Sequence, residues 1–226
     1  MIPRIIYEDN HLLVVEKPVN IPVQADNTKD LDMLTTLKQD LKERYKKPGE
    51  VYLGLVHRLD RPVGGVMVFA KTSKSASRLS DQVRTRTFKK VYLAVVRGTP
   101  EKSEATLRDF LIKDSSENMV HVVKEGIKEA KEAILDYEVV KSRGELSLLR
   151  VKLHTGRPHQ IRVQLSHAGY PLYGDQRYGI AVNKHGQQIA LWASSLTIEH
   201  PTKKEQMTFS CETPDTEPWI QFKQMV

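Results

Sequence analysis

The chain has 226 residues, 39% of them hydrophobic and 28% charged, so it is long enough to bury a core and too apolar for a disordered polymer. A formal net charge of +7 and a pI near 9.3 suit a polyanionic partner, because phosphates release counterions to such surfaces. The single cysteine, Cys211, excludes a disulfide framework and a multi-cysteine zinc site. There is no signal-like apolar segment and no bilayer-length run, so a cytoplasmic protein without membrane contact is expected.

Residues 4–7 and 12–15 are short apolar runs flanking the turn pair Asp9-Asn10, which predicts a hairpin closed by Glu16-Lys17-Pro18. Leu34, Leu37, Leu41 and Tyr45 fall at helical spacing, with Asp30 as N-cap and Pro48-Gly49 as the stop. Residues 54–72, GLVHRLDRPVGGVMVFAKT, then place His57-Arg58-Leu59-Asp60 on a Pro/Gly-rich loop. The loop feeds an apolar run, residues 66–70, whose β-branched and aromatic content reads as a buried strand. Taken alone, an Asp in such a loop forms a turn. Held by arginines on a rigid loop, it is also a candidate reactive group.

Beyond this strand, Ser73 caps a helix that turns Ala76, Leu79 and Val83 to the core and ends in Arg84-Thr85-Arg86. Residues 89–98, KKVYLAVVRG, form a strand in which Tyr92 is a core or cross-strand aromatic. Residues 99–116 carry a weak pattern and suggest an excursion at the domain edge. Three strands follow at Met119–Val123, 130–140 and Leu146–Leu153. In residues 154–169, HTGRPHQIRVQLSHAG, Pro158 suits the first turn of a helix and Gly169 its C′ position. Ile161, Leu165 and Ala168 give the apolar stripe, and His159, Arg162 and Ser166 share another face. Asp175, between Gly174 and Tyr178, reads as a turn former. Strands at 189–198 and Gln206–Ser210 flank a turn at His200-Pro201, and Trp219 and Phe222 pack a terminal helix. No linker or repeat interrupts the chain, so one domain over residues 1–226 is expected.

Three separated segments resemble the RluA branch of the pseudouridine synthases: HRLD with its following strand, K-x-Y-x-A-x-V-x-G from Lys90 to Gly98, and TGR-x-HQIR-x-Q from Thr155. The Y-P-L-Y-G-D-Q-R-Y-G run at 170–179 extends the likeness. The resemblance implies an α+β fold with a large mixed, mostly antiparallel sheet, flanking helices and a central basic cleft. It also implies a cofactor-free isomerisation of uridine to pseudouridine in ribosomal or transfer RNA. In its terms Asp60 is the catalytic carboxylate, Tyr92 lies against the target base, and Arg162 pairs with the catalytic Asp. Three routes are open to Asp60: attack on the ribose, addition to the uracil, or a proton shuttle.

Arg58, Arg61, Arg86, Lys89, Arg157 and His159 are the expected RNA contacts, on a protein expected to be monomeric. The chain departs from relatives at Val63-Gly64, where Thr-Ser is common, and at Trp192, where His is usual. By the resemblance, the chain is expected to open directly on the catalytic domain, whereas many relatives begin with a small RNA-binding domain. Two rivals compete with the isomerase: an RNA-binding protein without catalysis, and a hydrolase using paired carboxylates with Asp175 as the second acid.

Overall fold

A computed structural model describes residues 2–223. In chain order the elements are β1 (Ile5–Glu8), β2 (Leu12–Lys17), α1 (Met33–Arg44), β3 (Gly54–Leu55), β4 (Gly64–Ala70), α2 (Ser73–Arg84), β5 (Lys89–Arg97) and β6 (Glu104–Asp114). They continue with β7 (Met119–Val123), β8 (Lys131–Arg143), β9 (Leu146–Leu153), α3 (Gln160–His167), β10 (Leu191–Glu199), β11 (Gln206–Ser210) and α4 (Ile220–Lys223). The class is α+β, as the resemblance implies. The chain divides into two compact units, one formed by residues 1–90 and 193–212, the other by 91–192 and 213–226.

In the first unit the strand order is β1-β2-β4-β10, with β3 beside β4 and β11 beside β10. The predicted hairpin is present, with β1 antiparallel to β2 and β2 antiparallel to β4. Leu12 to Val15 and all seven residues of β4 are buried, which is the signature of strands covered on both faces. Gly65 shows why a glycine follows the HRLD loop. Its φ is +122°, and a Cβ there would stand 2.3 Å from the Ala193 carbonyl oxygen.

Helix starts lie close to the predicted ones, with different caps. Asp32, rather than Asp30, caps α1 by accepting the Thr35 amide, and Thr72 rather than Ser73 caps α2. Asp30 is used elsewhere, on Arg61. In α2 the buried positions are Ser75, Leu79 and Gln82, while Val83 is exposed. Gln82 replaces Val83 at the interface because its amide forms two bonds to the main chain of Glu199 at the end of β10, giving one N–H at 2.8 Å and accepting one at 2.9 Å.

The second unit is the antiparallel series β5-β9-β8-β6-β7. The eleven-residue β6 occupies the stretch expected to be an irregular excursion. Only Leu111 in it is buried, so its alternation was too polar to read as a strand. Helix α3 packs on β6 and β7, and Val163 joins Leu111, Val120 and Ala133 in one apolar cluster. Pro158 lies just before this helix. His159 is its N-cap in a left-handed conformation (φ 51°), and Gly169 takes the expected positive φ after its end. Trp219 is buried and the short α4 lies beside β8 as expected, while Phe222 is only half-buried.

Candidate active site

Asp60 occupies the loop between β3 and β4 in the first unit and is half-buried. Its carbonyl accepts the Val63 amide at 2.9 Å, so the turn-forming role of this segment is real, and the side chain is held on a closed turn. Beneath the loop lies a group that the sequence reading passed over. Lys17, with no exposed surface, directs Nζ at the carbonyls of Pro18 (2.9 Å), Arg61 (2.9 Å) and Val63 (2.7 Å). Three acceptors match the three N–H bonds of an ammonium. Burial pushes the Lys17 pKa down to about 7, the Asp60 charge opposing that shift and the Arg61 charge adding to it. The available signal was positional: Lys17 ends the apolar strand β2 and pairs with Gly65 of β4.

His57 has no acid–base role in this arrangement. It is buried, its Nε2 accepts the Val68 amide at 3.1 Å, and its ring lies 5.0 Å from that of Phe88. Burial, with a smaller push from the Lys90 charge, takes its pKa down to about 3, so it is a neutral anchor between the loop and β4.

The second unit carries the other two residues assigned to catalysis. Tyr92 is buried on β5 opposite Val151 of β9. Arg162 is 5% exposed on α3, far from the surface cation that an amphipathic pattern would suggest. Two of its nitrogens, Nε and Nη2, each donate at 2.8 Å to a different oxygen of Asp175, a bidentate pair with both side chains almost fully buried. Asp175 also accepts the amides of Arg177 and Tyr178, so the predicted turn is present and an ion pair is built onto it. Burial alone would raise the Asp175 pKa; the bonds and charge of Arg162, with the two amides, hold it below its usual value.

Around the pair, the His159/Arg162/Ser166 face of α3 is covered by Tyr178. Its hydroxyl bonds His159 Nδ1 at 2.8 Å and accepts the Val120 amide at 2.9 Å, its carbonyl accepts Ser166 Oγ, and its ring lies 5.2 Å from the Arg162 guanidinium carbon. The spacing prediction of a shared face is therefore correct, with Arg162 buried and His159 and Ser166 half-buried.

The six expected RNA contacts fall into two groups. Arg58, Arg86 and Lys89 are exposed, Arg86 in a left-handed conformation just past α2. Arg61, Arg157 and His159 have protein partners. Arg61 braces residues 20–30 through Asp30, Asp26 (3.6 Å), Thr28 Oγ1 (2.9 Å) and the Asn20 carbonyl (3.2 Å). Arg157 Nε donates to the Glu132 carbonyl at 2.9 Å. Among the described residues one trio has the proximity of metal ligands, Asp114, Glu117 and His121, with ligand atoms within 4.8 Å of one another. Asp114 there accepts the Ser116 amide and hydroxyl and the Glu117 amide, which is turn formation.

The sequence pattern of RNA pseudouridylate synthase matches residues 11–167. The chain belongs to that family. It is 35% identical over 223 residues to an uncharacterized RNA pseudouridine synthase of Aquifex aeolicus (strain VF5), covering 94% of this chain and 70% of the relative. It is 34% identical over 208 residues to ribosomal large subunit pseudouridine synthase C of Buchnera aphidicola subsp. Baizongia pistaciae, covering 89% and 64%. The chain thus spans about two thirds of the length of these relatives. The fold is shared with human RNA pseudouridylate synthase domain containing 4, at a TM-score of 0.79 and 24% identity over 93% of this chain and 88% of that one. Among the described residues no helix is long and apolar enough to cross a membrane.

Proposed function

We propose that this chain isomerises uridine to pseudouridine in RNA, with large-subunit ribosomal RNA as the substrate class and both units acting as one catalytic domain. The observation that carries this reading is the closed HRLD turn, which holds Asp60 half-buried above an ammonium in a chain of the pseudouridylate synthase family. The substrate class follows from the relative named ribosomal large subunit pseudouridine synthase C.

Asp60 is the carboxylate that acts on the nucleotide. A base within RNA structure must first be extruded, at a cost of about a few kcal/mol, and stacking on an aromatic ring returns roughly 1–3 kcal/mol. Tyr92 supplies that ring and a hydroxyl for late proton removal from C5. Arg162 supplies a fixed guanidinium, with Asp175 orienting its plane. Arg58, Arg86 and Lys89 are the phosphate contacts; Arg61, Arg157 and His159 would have to exchange protein partners for phosphate, which makes them supports first. The protein acts in the cytoplasm as a monomer, without a cofactor.

The hydrolase reading loses its second acid. A general acid needs a raised pKa and access to the substrate, whereas Asp175 is buried, held ionised and bonded twice to Arg162. The test is incubation of large-subunit ribosomal RNA transcripts with the protein, followed by nuclease digestion and chromatography of the nucleosides. Pseudouridine should appear without free uracil, and Asp60→Asn should abolish it while RNA binding persists. Binding without any isomer from the wild-type protein would leave the non-catalytic reading standing.

A further inference from the structure

Four exposed residues of the first unit, Lys46, Lys47, Tyr52 and Lys74, lie outside the segments that resemble the family, and the fold gathers them at one end of β4. That strand starts at Gly64, just past the Asp60 turn, and Lys71 at its far end stands about 23 Å away at ~3.3 Å per residue. Gly54 pairs there with Ala70. The Tyr52 hydroxyl is 2.8 Å from the place a Gly54 Cβ would take, and Ala76 Cβ in the first turn of α2 is 2.9 Å from it. Tyr45, the C-cap of α1, is drawn to the same end by Glu8, which accepts the Tyr45 hydroxyl at 2.8 Å and the Lys71 ammonium at 2.6 Å. Lys46 and Lys47 follow, and their amides are fixed to the carbonyls of Glu43 (3.2 Å) and Lys42 (3.0 Å).

The charge at this end is one-sided. Between Tyr45 and Ser80 the chain has two acids, Glu50 and Asp60, against seven lysines and arginines. The nearby acids are already matched, Glu8 by Lys71 and Arg44, and Asp40 by Arg44. The dipole at the end of α1 favours Lys46 and Lys47, but helix stability does not account for Lys74: a first turn favours acids, and α2 has none there. The Tyr45 ring is faced by Lys71 Nζ at 5.1 Å and Arg44 Cζ at 5.4 Å, so it belongs to the cation cluster. Tyr52 keeps 49% of its surface exposed and has a ring face to offer. Cations interleaved with an open aromatic ring suit a phosphate backbone with bases alongside.

We propose that this end of the first unit is a second RNA-binding surface, which holds substrate RNA flanking the modified uridine. Lys46, Lys47 and Lys74 take phosphates, and Tyr52 lies against a base or ribose. The proposal rests on RNA being the substrate and adds how a long RNA is chosen over a short one. More than about 20 Å of strand separates the surface from the Asp60 turn, so it acts on affinity and meets no reacting atom.

The experiment measures the affinity of wild type and variants for a long fragment of large-subunit ribosomal RNA and for a short hairpin cut from it, over a range of salt. The triple variant Lys46→Glu/Lys47→Glu/Lys74→Glu should bind the long fragment about 10- to 100-fold more weakly at low salt, with a salt dependence shallower by about two to three phosphate contacts. Its affinity for the hairpin should stay within about twofold of wild type. Tyr52→Ala should weaken the long fragment about tenfold and leave the salt dependence as it is, because stacking releases no counterions. An equal loss on both RNAs overturns the proposal. So does an equal loss from Lys124→Glu/Lys128→Glu/Lys184→Glu on exposed loops of the second unit, since either result marks a general effect of charge. Unchanged affinity for the long fragment also overturns it, even if the first triple variant loses binding to phosphatidylglycerol vesicles. Failure of the isomerase reading looks different: wild type would bind the long fragment through this surface and form no pseudouridine.

Discussion

Lys17 in the first unit and Arg162 in the second are both cations with almost no exposure, and they are satisfied by opposite means. Lys17 spends its protons on three main-chain carbonyls, whose partial charges compensate it without a bonded counter-ion. Arg162 is matched plane to plane by the Asp175 carboxylate. A carbonyl cage leaves the cation dependent on its own pKa, so it can be switched off by pH. A bidentate ion pair keeps both partners charged, and loses its balance only when one is removed.

The strongest way to break this comparison is to unbalance the pair. Asp175→Ala should cost about 3–5 kcal/mol in urea denaturation, because it removes a bidentate carboxylate from a buried guanidinium and also the acceptor of the Arg177 and Tyr178 amides. Adding Arg162→Met to it should recover part of that loss, since an apolar replacement of both charges is far better tolerated than half a pair. Activity should stay absent in both. If the double variant is no more stable than the single one, Asp175 matters as a turn former and the ion pair contributes little.

Lys17→Met is the smaller perturbation of stability, at about 1–3 kcal/mol, because it leaves three carbonyls short of a donor but removes the cost of burying a charge. Its sign with pH sharpens the contrast. The folded pKa of Lys17 lies near 7, below the ordinary 10.5, so burial of the ammonium costs stability in full below about pH 7. That cost is relieved between about 7 and 10.5, where the unfolded chain keeps a proton the folded chain has lost. Wild type should therefore gain on Lys17→Met between pH 6 and 9 in chemical denaturation. Asp175 acts on the other limb. With its folded pKa below the ordinary 3.8, its stabilisation is full above that value and disappears as pH falls through the lower one. Asp9 behaves alike: burial works to raise it, but the His11 and Leu12 amides and the His200 ring hold it at about 2. A wild-type acid limb that persists unchanged in Asp175→Asn would assign it to Asp9 and its neighbours.

Most of the fold was legible because its signals are local. The β1–β2 hairpin, β7, β9 and β11 follow from short apolar runs between turn residues, and Gly169 ends α3 where glycine predicts. β6 was missed since its neighbours, rather than its own residues, decide that it is a strand: it is paired on both sides and yet buries only Leu111. The site divides the same way. Asp60, Tyr92 and Arg162 lie in recognisable motifs. Lys17 was passed over because a lysine closing a strand ordinarily turns its amine to water, and only the fold brings the carbonyls of residues 61 and 63 to it. Asp175 was read as a turn former because turn chemistry explained it fully; a second use of the same oxygens leaves no mark in spacing.

Arg61 gives the smallest expected effect and a different kind of test. It follows Asp60 directly, its carbonyl is held by Lys17, and its side chain faces the acidic groups of residues 20–30. These groups are exposed and screened by salt, so Arg61→Ala should leave the melting temperature nearly unchanged. Asp26 and Asp30 would then stand uncompensated beside the Asp60 turn, and RNA phosphates would meet them there. RNA affinity should fall a few-fold at low salt, with the difference shrinking as salt is raised, while the single-turnover rate at saturating RNA stays close to wild type. A loss of stability approaching that of Asp175→Ala would mean instead that Arg61 braces the turn from above as Lys17 does from below, and the carbonyl cage would no longer be sufficient to hold Asp60.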